Sequence, residues 1–323
     1  MSIELNLRKF LVICAALAFA TACAGPDSQP EQPAVAQQLP PMDTLVTTQW
    51  LSEHLDDPDL VVLDCSVRVE QSEDGGVEVL SGLADYESGH IPSAGFADLL
   101  GDLRDSESPH NFALPTPERF AEVMGALGVG DETRVVLYDG SNSSWAARVW
   151  WMLRWVGFDR AALLDGGLGA WTAEDRTLSI EPASQPLRQL TPALRPELIS
   201  DRDEVLAAIE NDSVHVIDAM PAPHYQGEMV MYDRPGHIAG ASNVPITGLL
   251  DESGRFRPLD ELAAMHHGDL DARAITYCGG GIAASSNAFV MTRLGYTDVA
   301  VYIASLQEWA ADPALPMEVE TPE

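Results

Sequence analysis

The sequence predicts an α/β fold built twice, with two domains that are each a mainly parallel sheet flanked by helices. Three observations predict it. From residue 45 onward short apolar runs alternate with helical patterns, the order expected of βαβ units. The same landmarks then return: Asp64 with Asp218, GHIPSA at 89–94 with GHIAGA at 236–241, Asp139 with Cys278, Gly157 with Gly295, and Trp171 with Trp309. The last three pairs lie 139, 138 and 138 residues apart, which marks a duplicated unit. Finally, 323 residues are enough for two domains, each burying a core of its own.

In the first unit a helical pattern at 50–55 leads into an apolar strand at 60–63. A helix begins at Thr116-Pro117-Glu118, an N-cap followed by Pro at the first helical position. A strand at 135–138 and a helix at 146–155, stopped by Gly157, complete it. Trp145, at the start of that helix, and Trp150, Trp151 and Trp155 along it fall at helical spacing, which points to core or interface packing, and Arg148 and Arg154 are expected to pair with acids at the interface. The second unit offers a helix at 203–209, a strand at 214–217, a helix at 259–265, a strand at 274–277, and a long helix at 282–294 stopped by Gly295. Residues 43–177 and 197–318 are therefore read as the two domains, and 178–196, with four Pro, as the linker between them.

The N-terminus carries a different signal. Arg8 and Lys9 precede an apolar run at 10–22, shorter than the roughly twenty residues that span a bilayer. It reads as a signal peptide at 1–22, ending in Ala20-Thr21-Ala22 directly before Cys23. That junction resembles a bacterial lipobox, which implies lipidation of Cys23 and a lipid-anchored protein of the cell envelope facing the periplasm; plain cleavage after Ala22 is the alternative. Residues 23–42, rich in Pro, Gln, Ser and Ala, read as a tether.

Composition excludes other classes. With 50 Asp and Glu against 18 Lys and Arg, the formal charge is -32, and a nucleic acid would be repelled. Seventeen of the cations are Arg and only Lys9 is Lys. The 46% hydrophobic fraction still belongs to a folded body, so the acidity lies on its surface. The four cysteines, 14, 23, 65 and 278, leave two thiols after export and acylation, so at most one disulfide. No cysteine or histidine spacing suits zinc, and no metal or organic cofactor is implied. The adjacent His266 and His267 read as a solvated helix end at Gly268.

Cys278 carries the chemistry. A strand delivers it, Gly279, Gly280 and Gly281 follow, and a helix starts near Ile282. Unpaired N–H groups and the helix dipole converge there on one spot, favouring an anion and the thiolate form of a cysteine. Three glycines let the backbone wrap closely around a group on the sulfur. Cys65, at the end of the first strand, reads as a structural hydrophobe.

CGGGIA, the two GHI segments, the opening LVTTQWLSEHLDDPDLVVLD and the closing SLQEW together resemble the rhodanese family, the tandem-domain thiosulfate and 3-mercaptopyruvate sulfurtransferases, over nearly all of 45–316. The resemblance implies two rhodanese-like domains, the first inactive. Cys278 of the second would take sulfane sulfur from a small anionic donor, hold it as a persulfide bound by Gly279, Gly280, Gly281, Ile282 and Ala283, and pass it to a thiol or cyanide. The related dual-specificity phosphatases have a loop one residue longer than 278–283, which argues against phosphate chemistry. Asp139 stands in the first domain where the second has Cys278; a carboxylate cannot accept sulfur. That domain is expected to complete the cleft from across the interface.

The departures concern donor binding. Relatives carry an Arg two residues after the second-domain strand Asp, and that place is Met220. The basic residues that thiosulfate users carry just after the cysteine are replaced by Gly279 and Gly280. Arg234, before Pro235-Gly236-His237, is the expected substitute clamp, while Asp218 is read as orienting backbone. Loss of the clamps leaves a second reading open, a non-catalytic module that carries sulfur or binds a partner, and a third, a redox pair of Cys65 with Cys278.

Overall fold

The computed structural model describes residues 42–71 and 77–320. The expected signal segment, Cys23 and nearly all of the expected tether lie outside the described residues. In the first half, β1 (Leu45–Val46), α1 (Thr48–His54), β2 (Leu60–Asp64), β3 (Val67–Gln71), β4 (Val77–Ser81) and α2 (Leu83–Ser88) come first. They are followed by β5 (Gly95–Phe96), α3 (Pro117–Ala126), β6 (Arg134–Tyr138), α4 (Ser144–Trp155), β7 (Ala161–Leu164) and α5 (Gly167–Ala173). The second half opens with β8 (Ile199–Ser200), α6 (Arg202–Ala208), β9 (Val214–Asp218), α7 (Ala222–Tyr225), β10 (His237–Ile238) and β11 (Ser242–Asn243). It closes with α8 (Leu259–Met265), β12 (Arg273–Tyr277), α9 (Ile282–Leu294), β13 (Val299–Tyr302), α10 (Ser305–Trp309) and β14 (Met317–Glu318).

The two five-stranded sheets have one topology. The first runs β1-β7-β6-β2-β5 and the second β8-β13-β12-β9-β11, with every neighbouring pair parallel. The inner strands are unbroken apolar runs because helices cover both faces: every residue of β2, β6 and β7 is buried. Thr116 caps α3 by accepting the Arg119 N–H at 3.2 Å, with Pro117 at the first helical position. Gly295, at φ 94°, ends α9 in the left-handed conformation.

The repeat extends to side chains. Tyr138 and Tyr277, each closing a central strand, accept the N–H groups of Ile91 and Ile238 in the two GHI segments at 3.1 and 2.9 Å. His90 stacks on Tyr86 and His237 on Tyr225, with ring centroids 4.0 and 3.7 Å apart.

The halves share one continuous hydrophobic core, and the described residues form a single compact unit. Helix α4, buried on nearly all sides, packs along α9, with the Trp150 ring edge-on to Phe289 at 4.9 Å. Trp151 donates its indole N–H to the Leu198 carbonyl at 3.0 Å, and Arg255 donates to Glu174 at 2.7 Å. The 178–196 segment is fastened along the first half: Arg188 donates to the Pro58 carbonyl at 2.9 Å and Thr191 to Asp131 at 2.8 Å. The solvated end expected at His266 and His267 is corrected for one of them. His267 is exposed, but His266 is buried between Leu262 and Asn287, its ring nitrogens 2.9 and 3.3 Å from their oxygens, because α8 lies against α9.

Candidate active site

β12 is the middle strand of the second sheet, so Cys278 emerges at the carboxyl end of a central parallel strand, where ligands of open α/β sheets bind. Gly281, at φ 78°, turns the chain into α9, and its left-handed conformation suits glycine. The first turn of α10 holds the loop. Cys278 donates its N–H to Ser305 Oγ at 3.1 Å, and the carbonyls of Cys278 and Gly279 accept from the N–H groups of Leu306 and Gln307 at 3.0 and 3.1 Å. Ser305 in turn donates its hydroxyl to the Tyr302 carbonyl at 2.6 Å and sits at φ 54°, where the first half has Gly167 at φ 53°.

The loop is covered, and Cys278 is only 3% exposed. A Cβ on Gly279 would run into the Tyr232 hydroxyl, and one on Gly280 into the Gln307 side-chain amide. Part of the cover comes from the first half. The Asn111 N–H donates to Gln307 Oε1 at 2.7 Å, and the Phe112 ring lies 3.6 Å from where a Gly280 Cβ would stand. Burial pushes the Tyr232 phenol up, and the nearby Cys278 adds to this. Burial likewise raises the Asp218 carboxyl, whose Oδ1 accepts the Met220 N–H at 2.7 Å, so Asp218 does orient backbone beside the loop.

Arg148 of α4 reaches the same loop. A Cβ on Gly281 would lie 3.2 Å from its Nη1. Nη2 donates to the Phe112 carbonyl at 2.6 Å, while Nε and Nη1 are buried without a partner. The expected pairing of Arg148 with an interface acid is thus corrected: no carboxylate among the described residues takes it, because its guanidinium is directed to the Phe112 carbonyl and the Gly281 turn. Arg154 pairs with Asp159 of its own half at 3.0 Å and lies over the Trp150 ring.

Arg234 is not part of the loop, contrary to expectation. Its guanidinium donates to the carbonyls of Trp309, Ala310, Asp312 and Leu315 at 2.7–3.0 Å, so its donors bind the C-terminal segment and not an anion. Met220 is buried and brings no charge. Cys65 is a free, fully buried thiol, pushed well up by burial and by the neighbouring Asp64 and Asp139; Cys278 is free as well. Among the described residues no group of three or more His, Cys, Asp and Glu side chains could hold a metal. Sequence reasoning missed Arg148 and Tyr232 at the loop, and the cap from Ser305. The 138-residue offset pairing Ser305 with Gly167 is the signal that finds the last.

In the first half the matching loop follows Asp139. Its Oδ1 accepts the N–H groups of Ser141 and Ser143 at 2.8 and 3.1 Å, and its Oδ2 those of Trp145 and Ala146 at 3.1 Å each. The carboxylate fills its own helix N-terminus, so only in the second half does a cysteine follow the central strand into such a loop.

Residues 47–174 and 201–312 both match the Rhodanese-like domain family. The chain is 36% identical over 280 residues to 3-mercaptopyruvate sulfurtransferase of Escherichia coli, an alignment covering 84% of this chain and 97% of that one. It is 33% identical over 276 residues to thiosulfate sulfurtransferase of Gallus gallus, covering 82% and 92%. The crystal structure of the 3-mercaptopyruvate sulfotransferase SseA from Escherichia coli superposes with a TM-score of 0.71 at 34% identity, covering 81% of this chain and 98% of that one. With the loop geometry and the repeated topology, these matches make the chain a member of the rhodanese family, carrying two rhodanese domains in tandem.

Proposed function

We propose that the protein is a sulfurtransferase in which Cys278 carries the sulfur. The observation that supports this most is the contrast between the loops: Cys278 adjoins a helix N-terminus that no side chain of its own half fills among the described residues, whereas Asp139 fills its counterpart. The Cys278 thiolate would attack the outer sulfur of thiosulfate; the S–S bond breaks and sulfite leaves with its electron pair. With 3-mercaptopyruvate the C–S bond breaks instead, and pyruvate leaves as its enolate and takes up a proton. An acceptor thiolate or cyanide then attacks the outer persulfide sulfur and releases the Cys278 thiolate. The relatives named for these two donors support this substrate class.

Purified protein should produce thiocyanate from cyanide with one of these donors and lose the activity in Cys278→Ser. Activity that survives the substitution ends this reading. Intact-mass spectrometry separates it from a sulfur carrier: one stably added sulfur atom on Cys278 with negligible turnover favours the carrier.

We also propose that the protein is exported and held at a membrane of the cell envelope by a lipid on Cys23. Support comes from Arg8-Lys9, the apolar run at 10–22 and the small residues before Cys23. Metabolic labelling with a fatty acid should mark the protein and fail in Cys23→Ser; label that persists in the variant removes Cys23 as the anchor.

A further inference from the structure

We propose that Arg148, contributed by the first half, is the counter-charge that holds Cys278 in its anionic forms, thiolate and persulfide, across the interface between the halves. This rests on the reading of Cys278 as the sulfur carrier and adds a positioning residue that acts through charge. Three observations carry it. Arg148 is 1% exposed, and two of its guanidinium nitrogens, Nε and Nη1, are buried without an acceptor. Nη1 stands 3.2 Å from the place of a Gly281 Cβ, so the group is aimed at the turn between Cys278 and α9. No carboxylate among the described residues neutralises it, although a buried cation is costly unless it is paired. Burial lowers its pKa only to about 10, so it stays charged at neutral pH, and the neighbouring Cys278, as thiolate, opposes even that fall.

The other titratable groups beside the loop are Tyr232 and Asp218, and neither supplies positive charge. Ser305 and Gln307 are neutral. The basic residues absent from the loop itself, Met220 in place of an Arg, and Arg234 bound to four carbonyls leave α4 to deliver the cation. An arginine suits the task, since its planar fork donates to the Phe112 carbonyl with one nitrogen and leaves others directed elsewhere. The first half, unable to hold sulfur, thereby contributes directly to the chemistry of the second.

The test is the rate at which iodoacetamide alkylates Cys278 as a function of pH, which needs no sulfur transfer. Arg148→Met should raise the midpoint by about one pH unit and slow alkylation at neutral pH about tenfold, with Arg148→Lys recovering most of the loss. A profile identical to that of the unsubstituted protein overturns the inference. Should Arg148→Met fail to fold, the unsubstituted protein decides. The 15N-edited Nε–H resonance of Arg148 should move when thiosulfate converts Cys278 to its persulfide. A persulfide with an unmoved resonance rejects the role of Arg148 and leaves the sulfurtransferase intact. Failure to form any persulfide with either donor, together with a shifted alkylation profile, rejects the sulfurtransferase while keeping the charge role.

Discussion

The carboxylate of Asp139 occupies, in the first half, the cradle of N–H groups beside which Cys278 stands in the second. Its two oxygens accept from four main-chain donors, on Ser141, Ser143, Trp145 and Ala146, at 2.8–3.1 Å. The loop is one residue longer to make room. Asp139 and Cys278 are 139 residues apart, but the left-handed residues that start the two helices, Ser143 at φ 62° and Gly281 at φ 78°, are 138 apart. In the first half the anion site is thus filled by its own chain, and an aspartate stands where the second half has its cysteine.

Asp139→Ala should therefore destabilise the protein without changing the chemistry at Cys278. It strips an acceptor from four donors of a buried loop, a loss of about 2–4 kcal/mol after water partly replaces the carboxylate. Urea unfolding should show a lower midpoint with an unchanged slope, and turnover per folded molecule should hold. A cost below about 0.5 kcal/mol would mean that the four bonds contribute nothing net.

Much of this fold is legible in the residues. α8 and α9 span 259–265 and 282–294, as the sequence pattern predicts, because a glycine loop before α9, Gly295 after it and apolar runs between leave little freedom at their ends. The antiparallel pair β3 and β4 is not foreseen, since it occurs in one half only and its exposed residues owe nothing to the repeat. Arg148 and Arg234 are misread for a single reason. A duplicated pattern describes how each half folds, but it is silent on what α4 meets across the interface. It is equally silent on the turn of Arg234 toward carbonyls about 75–81 residues further along the chain. His266 belongs with them, because its burial depends on α8 meeting α9.

Asp218 gives the protein a pH dependence of definite sign. It is fully buried at the end of β9, and burial pushes its carboxyl up to about 6 from an ordinary 3.8. The folded state thus holds a proton that the unfolded chain releases. Asp218 contributes stability that is fully present below about pH 4 and lost as the pH rises through about 6, on the order of 3 kcal/mol in all. Asp218→Asn keeps an oxygen for the Met220 N–H and removes the charge. The variant's stability relative to the unsubstituted protein should therefore climb between pH 4 and 6 and then level off. A difference that is flat from pH 4 to 7 would show that Asp218 does not titrate in this range.

Charge also sets the salt dependence of donor use. The chain carries -32, and the Arg234 expected to offset this locally is spent on carbonyls. A dianionic donor such as thiosulfate must approach through that field, which reaches about 30 Å at 0.01 M salt and about 3 Å at 1 M. Added salt should therefore lower the KM for thiosulfate, roughly two- to fivefold between 0.01 and 0.3 M, with kcat nearly constant. Arg148 does not reverse the trend, because a buried charge is screened far less than the exposed carboxylates. Alkylation of Cys278 by uncharged iodoacetamide supplies the control and should change little over the same range. A KM that stays flat or rises with salt would mean that local attraction at the loop outweighs the acidic surface, and Arg148→Met would then have to abolish that attraction.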